Sequence, residues 1–184
     1  MRTRTIILAM LIVFSLPLTG QEKSNKLDIR LGTGISLLGT GDMSTFNYEN
    51  EINFKLDKYF TSSFSINLGR SKNGVLKTAS FTQGNLNFFI SPFGNNKRFD
   101  FRAGTGLTFY NVSDSYAQSA YYEDGVLVGS DYIFENRNSF GYNVIIENSY
   151  LLTNKFLIGL KLFTQPYFNG DINSGVILKA GLRL

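Results

Sequence analysis

Glu49 and Glu51, two residues apart, and the distant Glu147 are the carboxylates that could face one another for general acid–base work. Nothing else in the chain completes a catalytic set with them. Histidine and cysteine are both absent. A serine nucleophile therefore has no imidazole to deprotonate it, and a transition metal lacks the usual imidazole and thiolate ligands. Asp114, Glu123, Asp124 and Asp131 could offer oxygens to calcium, but their spacing matches no calcium-loop signature. Gly104-Thr105-Gly106 looks like a fragment of a phosphate-binding loop, yet it lies inside an alternating segment and opens no helix. The expectation is a non-enzymatic protein without cofactor or metal, whose three glutamates make ion pairs.

The stretch from Asn111 to Arg137 is the best candidate for a specific contact. Tyr116, Tyr121, Tyr122, Tyr132 and Phe134 are interspersed there with Asp114, Glu123, Asp124, Asp131 and Glu135. Aromatic rings exposed on a loop often mark contact surfaces. Two readings stand: a long loop that meets an extracellular partner, and an ordered hairpin extension of the flanking strands that covers itself. Within it, Gly125-Val126-Leu127-Val128-Gly129 is the segment that could cross the tip.

The elements that must position these residues are strands. Leu27, Ile29, Leu31, Thr33, Ile35 and Leu37 fall on one side of an extended segment; Asp28, Arg30, Gly32, Gly34 and Ser36 fall on the other. Eight such segments can be read, at about 26–38, 46–59, 63–70, 79–91, 98–110, 138–151, 156–165 and from Asn173 to Leu184. A tight turn is expected near Thr61 and Ser62, and another at Pro92–Asn96. Links after segments 2, 4 and 6 look short. Those after 1, 3, 5 and 7 look longer, with the fifth the longest. That asymmetry is expected of an up-and-down membrane barrel, with both termini on the short-turn, periplasmic side.

Alternation alone is shared with soluble lipocalin-like barrels, whose apolar face points inward. Three features favour the inverted arrangement. The polar face is rich in glycine, which suits a narrow lumen where small residues make room for long ones. Its charges nearly cancel: Asp28, Glu49, Glu51, Asp100 and Glu147 against Arg30, Lys55, Arg102, Lys161, Lys179 and Arg183. Enclosed charges need such partners. Aromatics also gather near segment ends, among them Phe46, Tyr59, Phe99, Phe109, Tyr110, Phe140, Tyr150, Phe156 and Tyr167, as at the two membrane interfaces. A chain with 43% hydrophobic residues and a mean hydropathy of −0.05 is too polar for helical spans but suits strands that turn one face to lipid.

The first twenty residues differ in kind. Arg2 and Arg4 precede an apolar run from Ile6 to Leu18, followed by Thr19, Gly20 and a polar stretch. This reads as a secretory signal peptide over 1–20, cleaved after Gly20, with a barrel domain over 21–184. The chain has 18 basic and 14 acidic residues, and Arg2 and Arg4 leave with the peptide. The remaining charge is nearly balanced. No basic cluster with interleaved aromatics occurs, so a nucleic-acid partner is excluded. The absence of cysteine rules out disulfides and a lipid-modified amino-terminal cysteine.

Over about residues 27–184, the eight alternating segments, charged polar face and final strand resemble the small outer-membrane proteins of the OmpA membrane-domain and OmpX type. The resemblance implies an all-β, single eight-stranded antiparallel transmembrane barrel in the outer membrane of a Gram-negative-type bacterium. It also implies outer-membrane lipid and the barrel-assembly machinery as partners. Relatives commonly end in an aromatic residue read by that machinery, whereas Leu184 ends this sequence. No cell-wall-binding domain follows the eighth segment. The expected role is structural or surface-interacting, with a small pore or carrier, or a secreted lipocalin-like binder of an apolar ligand, as the alternatives.

Overall fold

The alternation is realised as eight strands, because a two-residue period can separate apolar from polar side chains only on an extended backbone. In the computed structural model, residues 26–39, 43–73, 77–95 and 97–184 are described. The signal-peptide reading over residues 1–20 lies outside them. The strands are β1 (Leu27–Gly39), β2 (Met43–Lys55), β3 (Phe60–Asn73), β4 (Lys77–Ile90), β5 (Phe99–Glu123), β6 (Val126–Leu151), β7 (Phe156–Pro166) and β8 (Ile172–Arg183). Each pairs antiparallel with the next, and β1 closes the ring on β8 from Asp28↔Arg183 to Gly39↔Ile172. Closure pairs the strand edges within the ring, which is what a sheet needs to cross a medium without water.

The apolar set of each strand faces out. Leu107 and Leu178 are 68% and 67% exposed, and Ile29, Leu31, Phe64, Leu86, Ile146 and Leu160 share that outer wall. A continuous apolar belt of this extent requires lipid around it. Its two borders carry rings: Tyr59, Phe60, Phe99, Tyr150 and Phe156 at one, Phe46, Phe109 and Phe140 at the other.

Two expectations about connections are corrected. Thr61 and Ser62 belong to β3, and the turn before it is residues 56–59. The asymmetry of the two ends is also not one of loop length. The links after β2, β4 and β6 span residues 56–59, 91–98 and 152–155; those after β1, β3, β5 and β7 span 40–42, 74–76, 124–125 and 167–171. The asymmetry lies in the strands instead. β5 and β6 run 25 and 26 residues, against 11 to 14 for the others. The 111–137 stretch is therefore a β-hairpin extension of β5 and β6, the second of its two readings. Its tip is Asp124–Gly125, with φ of 50° and 78°, not the Gly125–Gly129 segment. Two consecutive positive-φ residues make the tight turn whose twist suits a right-handed ribbon, and Asp-Gly is a preferred pair for it.

Two glycines on the inner wall are seats for rings. A Cβ at Gly69 would lie 2.1 Å from Phe81 Cε1, and one at Gly104 would lie 2.4 Å from Phe89 Cδ1. Both phenyl groups lie flat against bare backbone across the strand pair (Gly69↔Phe81 and Phe89↔Gly104), filling the lumen without distorting the wall.

Candidate functional site

Because inward residues recur every second position, the polar set of each strand converges on the barrel axis. All eleven charged side chains of that set lie inside: Asp28, Arg30, Glu49, Glu51, Lys55, Asp100, Arg102, Glu147, Lys161, Lys179 and Arg183. They do not form one uniform cluster. The centre is a belt of three carboxylates and four cations drawn from β1, β2, β5, β6, β7 and β8. Arg102 donates to Glu51 and Glu147, both at 2.8 Å, and to the side-chain Oδ1 of Asn53 at 2.7 Å. Lys179 Nζ lies 2.5 Å from Glu51, 2.7 Å from Glu49 and 3.0 Å from Glu147. Lys161 donates to Glu49 at 2.6 Å. Arg30 bridges Glu147 to Asp28, the latter at 2.9 Å. A looser group sits at the turn end, where Arg183 and Lys55 approach Asp28 at 3.3 and 3.9 Å. Asp100 is buried beside them but makes no ion pair among the described residues.

Above the belt, toward the hairpin end, lies a layer of amides. Gln83 donates to Gln165 at 2.8 Å and to Asn85 at 2.7 Å, and Asn143 donates to Asn87 at 2.5 Å. Apolar side chains then close the lumen: Leu38, Met43, Ala79, Phe81, Tyr110, Val112 and Tyr167 form one buried cluster. A second cluster, Phe89, Ile145, Phe163 and Ile177, packs beside the belt, with the Arg102 guanidinium 4.0 Å from the Phe89 ring centroid. A cation over a ring face in a desolvated site adds an attraction that the carboxylates do not use up.

Sequence reasoning assigned Tyr110 and Tyr167 to a membrane interface. Both are buried in the lumen and stack at 3.8 Å between ring centroids. The signal for Tyr110 was present: it shares the parity of Arg102 and Thr108 along β5. At the mouth Tyr110 donates to Asp171, Asn169 donates to Tyr110 at 2.8 Å, and Arg137 pairs with Asp114. The β7–β8 link is thereby tied across the opening.

The β5–β6 hairpin rises beyond this mouth. β5 is paired to β4 only as far as Tyr116, and β6 meets β7 only from Val144, apart from a bridge at Gly141. The ribbon from Ala117 to Ile133 is held by its own cross-strand pairs alone. Tyr121, Tyr122 and Tyr132 are exposed on it, Phe134 at its base is 77% exposed, and Tyr116 is half-buried lower down. Tyr116 donates to Glu135 at 3.0 Å and Tyr121 to Asp131 at 2.8 Å. These bonds to carboxylates hold both phenols above their ordinary pKa. Arg137 is the sole basic residue of the 111–137 stretch. The hairpin is thus an acidic, tyrosine-rich ribbon with a free backbone edge.

No protein-family model and no curated sequence matches the chain. Solved structures do. Ail, the attachment invasion locus protein of Yersinia pestis, superposes with a TM-score of 0.59 at 13% identity, covering 86% of this chain and 97% of Ail. Neisserial surface protein A gives 0.60 at 11% identity, over 89% and 100%. The amino-terminal β-barrel domain of Pseudomonas aeruginosa OprF gives 0.52 at 12%, over 84% and 96%. The chain has the fold of the eight-stranded outer-membrane barrels. Identities this low carry the barrel and its inverted packing, while residue roles rest on the geometry above.

Proposed function

We propose that this barrel is an integral, non-enzymatic protein of a Gram-negative-type outer membrane, exported by a cleaved peptide at residues 1–20, that presents the β5–β6 hairpin to a partner outside the cell. The observation that carries the reading is the combination of a filled lumen with a projecting ribbon. The belt, amide layer and apolar clusters leave the interior to its own side chains, as expected of eight strands. What remains for recognition is the hairpin. Its unpaired edge can accept a further strand, and its rings supply contact area. Ail has been crystallised with the heparin analogue sucrose octasulfate. An acidic hairpin repels such a polyanion, so the partner proposed here is cationic or neutral.

Chymotrypsin added to intact cells tests this placement. Cleavage is expected in the β5–β6 hairpin at Tyr121, Tyr122, Tyr132 or Phe134, leaving a protected barrel, with no cut at the Tyr59–Phe60 turn until the envelope is opened. Early cleavage at Tyr59–Phe60 in intact cells would reverse the orientation. The pore reading makes a separate claim: stable open channels from the purified barrel in a planar bilayer would favour it, and their absence is expected here.

A further inference from the structure

Five cations encircle the turn end: Lys26 before β1, Lys58 in the β2–β3 turn, Lys97 and Arg98 in the β4–β5 link, and Lys155 in the β6–β7 turn. One or two stand at every second strand junction, so the set goes round the whole wall. All five side chains are exposed. Asp57 is the acidic side chain exposed at this end among the described residues. Two of the cations are held at the level of the aromatic border. Lys58 Nζ lies 5.2 Å from the Tyr59 ring centroid, and the Arg98 guanidinium lies 5.5 Å from that of Tyr150. Arg98 is also anchored by donating to the Leu151 carbonyl at 3.2 Å. None of the five makes an ion pair among the described residues. The hairpin at the opposite end carries the reverse sign, with Glu123, Asp124, Asp131 and Glu135 exposed on it.

From this ring of unpaired positive charge at the edge of the apolar belt, we propose that the five residues form a collar that binds the phosphates of anionic phospholipids in the turn-end leaflet. The proposal rests on the membrane-barrel reading above and adds to it a lipid class and a side. A soluble polyanion is the poorer occupant. The rings of Tyr59 and Tyr150 are border residues of the belt, so the cations beside them sit at headgroup depth, where phosphates already stand. Basic residues next to an anionic surface attract it additively, and the attraction falls off within a Debye length.

The test uses the full barrel reconstituted in phosphatidylcholine vesicles with trace spin-labelled phosphatidylglycerol or phosphatidylcholine. Electron spin resonance reads the motionally restricted fraction of each label. The wild type is expected to retain phosphatidylglycerol about threefold or more over phosphatidylcholine, and to lose that preference in 1 M NaCl. A variant with Lys26, Lys58, Lys97, Arg98 and Lys155 all changed to Gln is expected to show no preference. A variant with Glu123→Gln, Asp124→Asn, Asp131→Asn and Glu135→Gln is expected to keep it. Equal retention of both lipids by the wild type, a preference that survives salt, or one that survives removal of the five cations would overturn the collar alone. Absence of any restricted lipid would overturn the membrane reading with it.

Discussion

Glu147→Gln is expected to destabilise the folded barrel by about 3–5 kcal/mol, the cost of stripping one partner from a buried charge network. Glu147 pairs with three cations, Arg30, Arg102 and Lys179. All four side chains are essentially without solvent. The interior set already holds one more base than acid, so the substitution leaves two unneutralised positive charges in a space that water enters poorly. The amide keeps the shape and some hydrogen bonding, which isolates the loss of charge. Urea titration of the refolded barrel, followed by the circular dichroism of its strands because the chain has no tryptophan, measures the effect. Pairing Glu147→Gln with Arg30→Gln is expected to recover part of the loss. A change within about 1 kcal/mol for the single variant, the range of a solvated pair, would mean that the belt is hydrated and its charges screened.

The outer wall gives the second large effect. Leu178→Arg is expected to cost ~2–4 kcal/mol, while Leu182→Arg costs ~0–1 kcal/mol, because the penalty for a lipid-facing charge depends on its depth. Leu178 sits mid-way along β8 (Ile172–Arg183) and is 67% exposed, whereas Leu182 lies at the turn-end border, paired with Phe156 and Ile29. The comparison of the two positions carries the weight. On a water-soluble barrel both substitutions would be near-neutral surface changes. Equal small effects in vesicles would therefore remove lipid from the outer wall and overturn the inside-out arrangement.

The parity of the strands was legible because it is a local property. Asp100, Arg102, Gly104 and Gly106 alternate with Phe99, Phe101, Ala103 and Thr105, and the two faces of β5 follow from the pleat without knowledge of any neighbour. The inward-facing rings were harder to read. Phe81, Phe163 and Tyr167 are as apolar as the residues outside, and composition alone gives no reason to put them in a polar lumen. The bare backbone at Gly69 makes room for Phe81, and that pairing is set by the β3–β4 register. The hairpin was legible only as one of two readings, for a different reason. Beyond Asp114 on β5, and across from that stretch on β6, both faces are half-buried or exposed, so the burial contrast that marks a strand disappears there. The remaining signal was Asp124–Gly125, whose positive φ values turn the ribbon.

The sequence by itself determined that the chain forms strands with one apolar and one charged face, since side-chain period is a property of each backbone segment. Only the tertiary structure decided which charge meets which. Lys161 finds Glu49 across 112 residues, and Lys179 finds Glu51 across 128. The stagger of the strands decides these encounters. It exists only once β1 has closed on β8, because closure alone brings the polar faces to a common axis at defined heights. β5 and β6 outrun their neighbours beyond that closed wall, so a stretch of acidic and aromatic residues becomes a projecting edge.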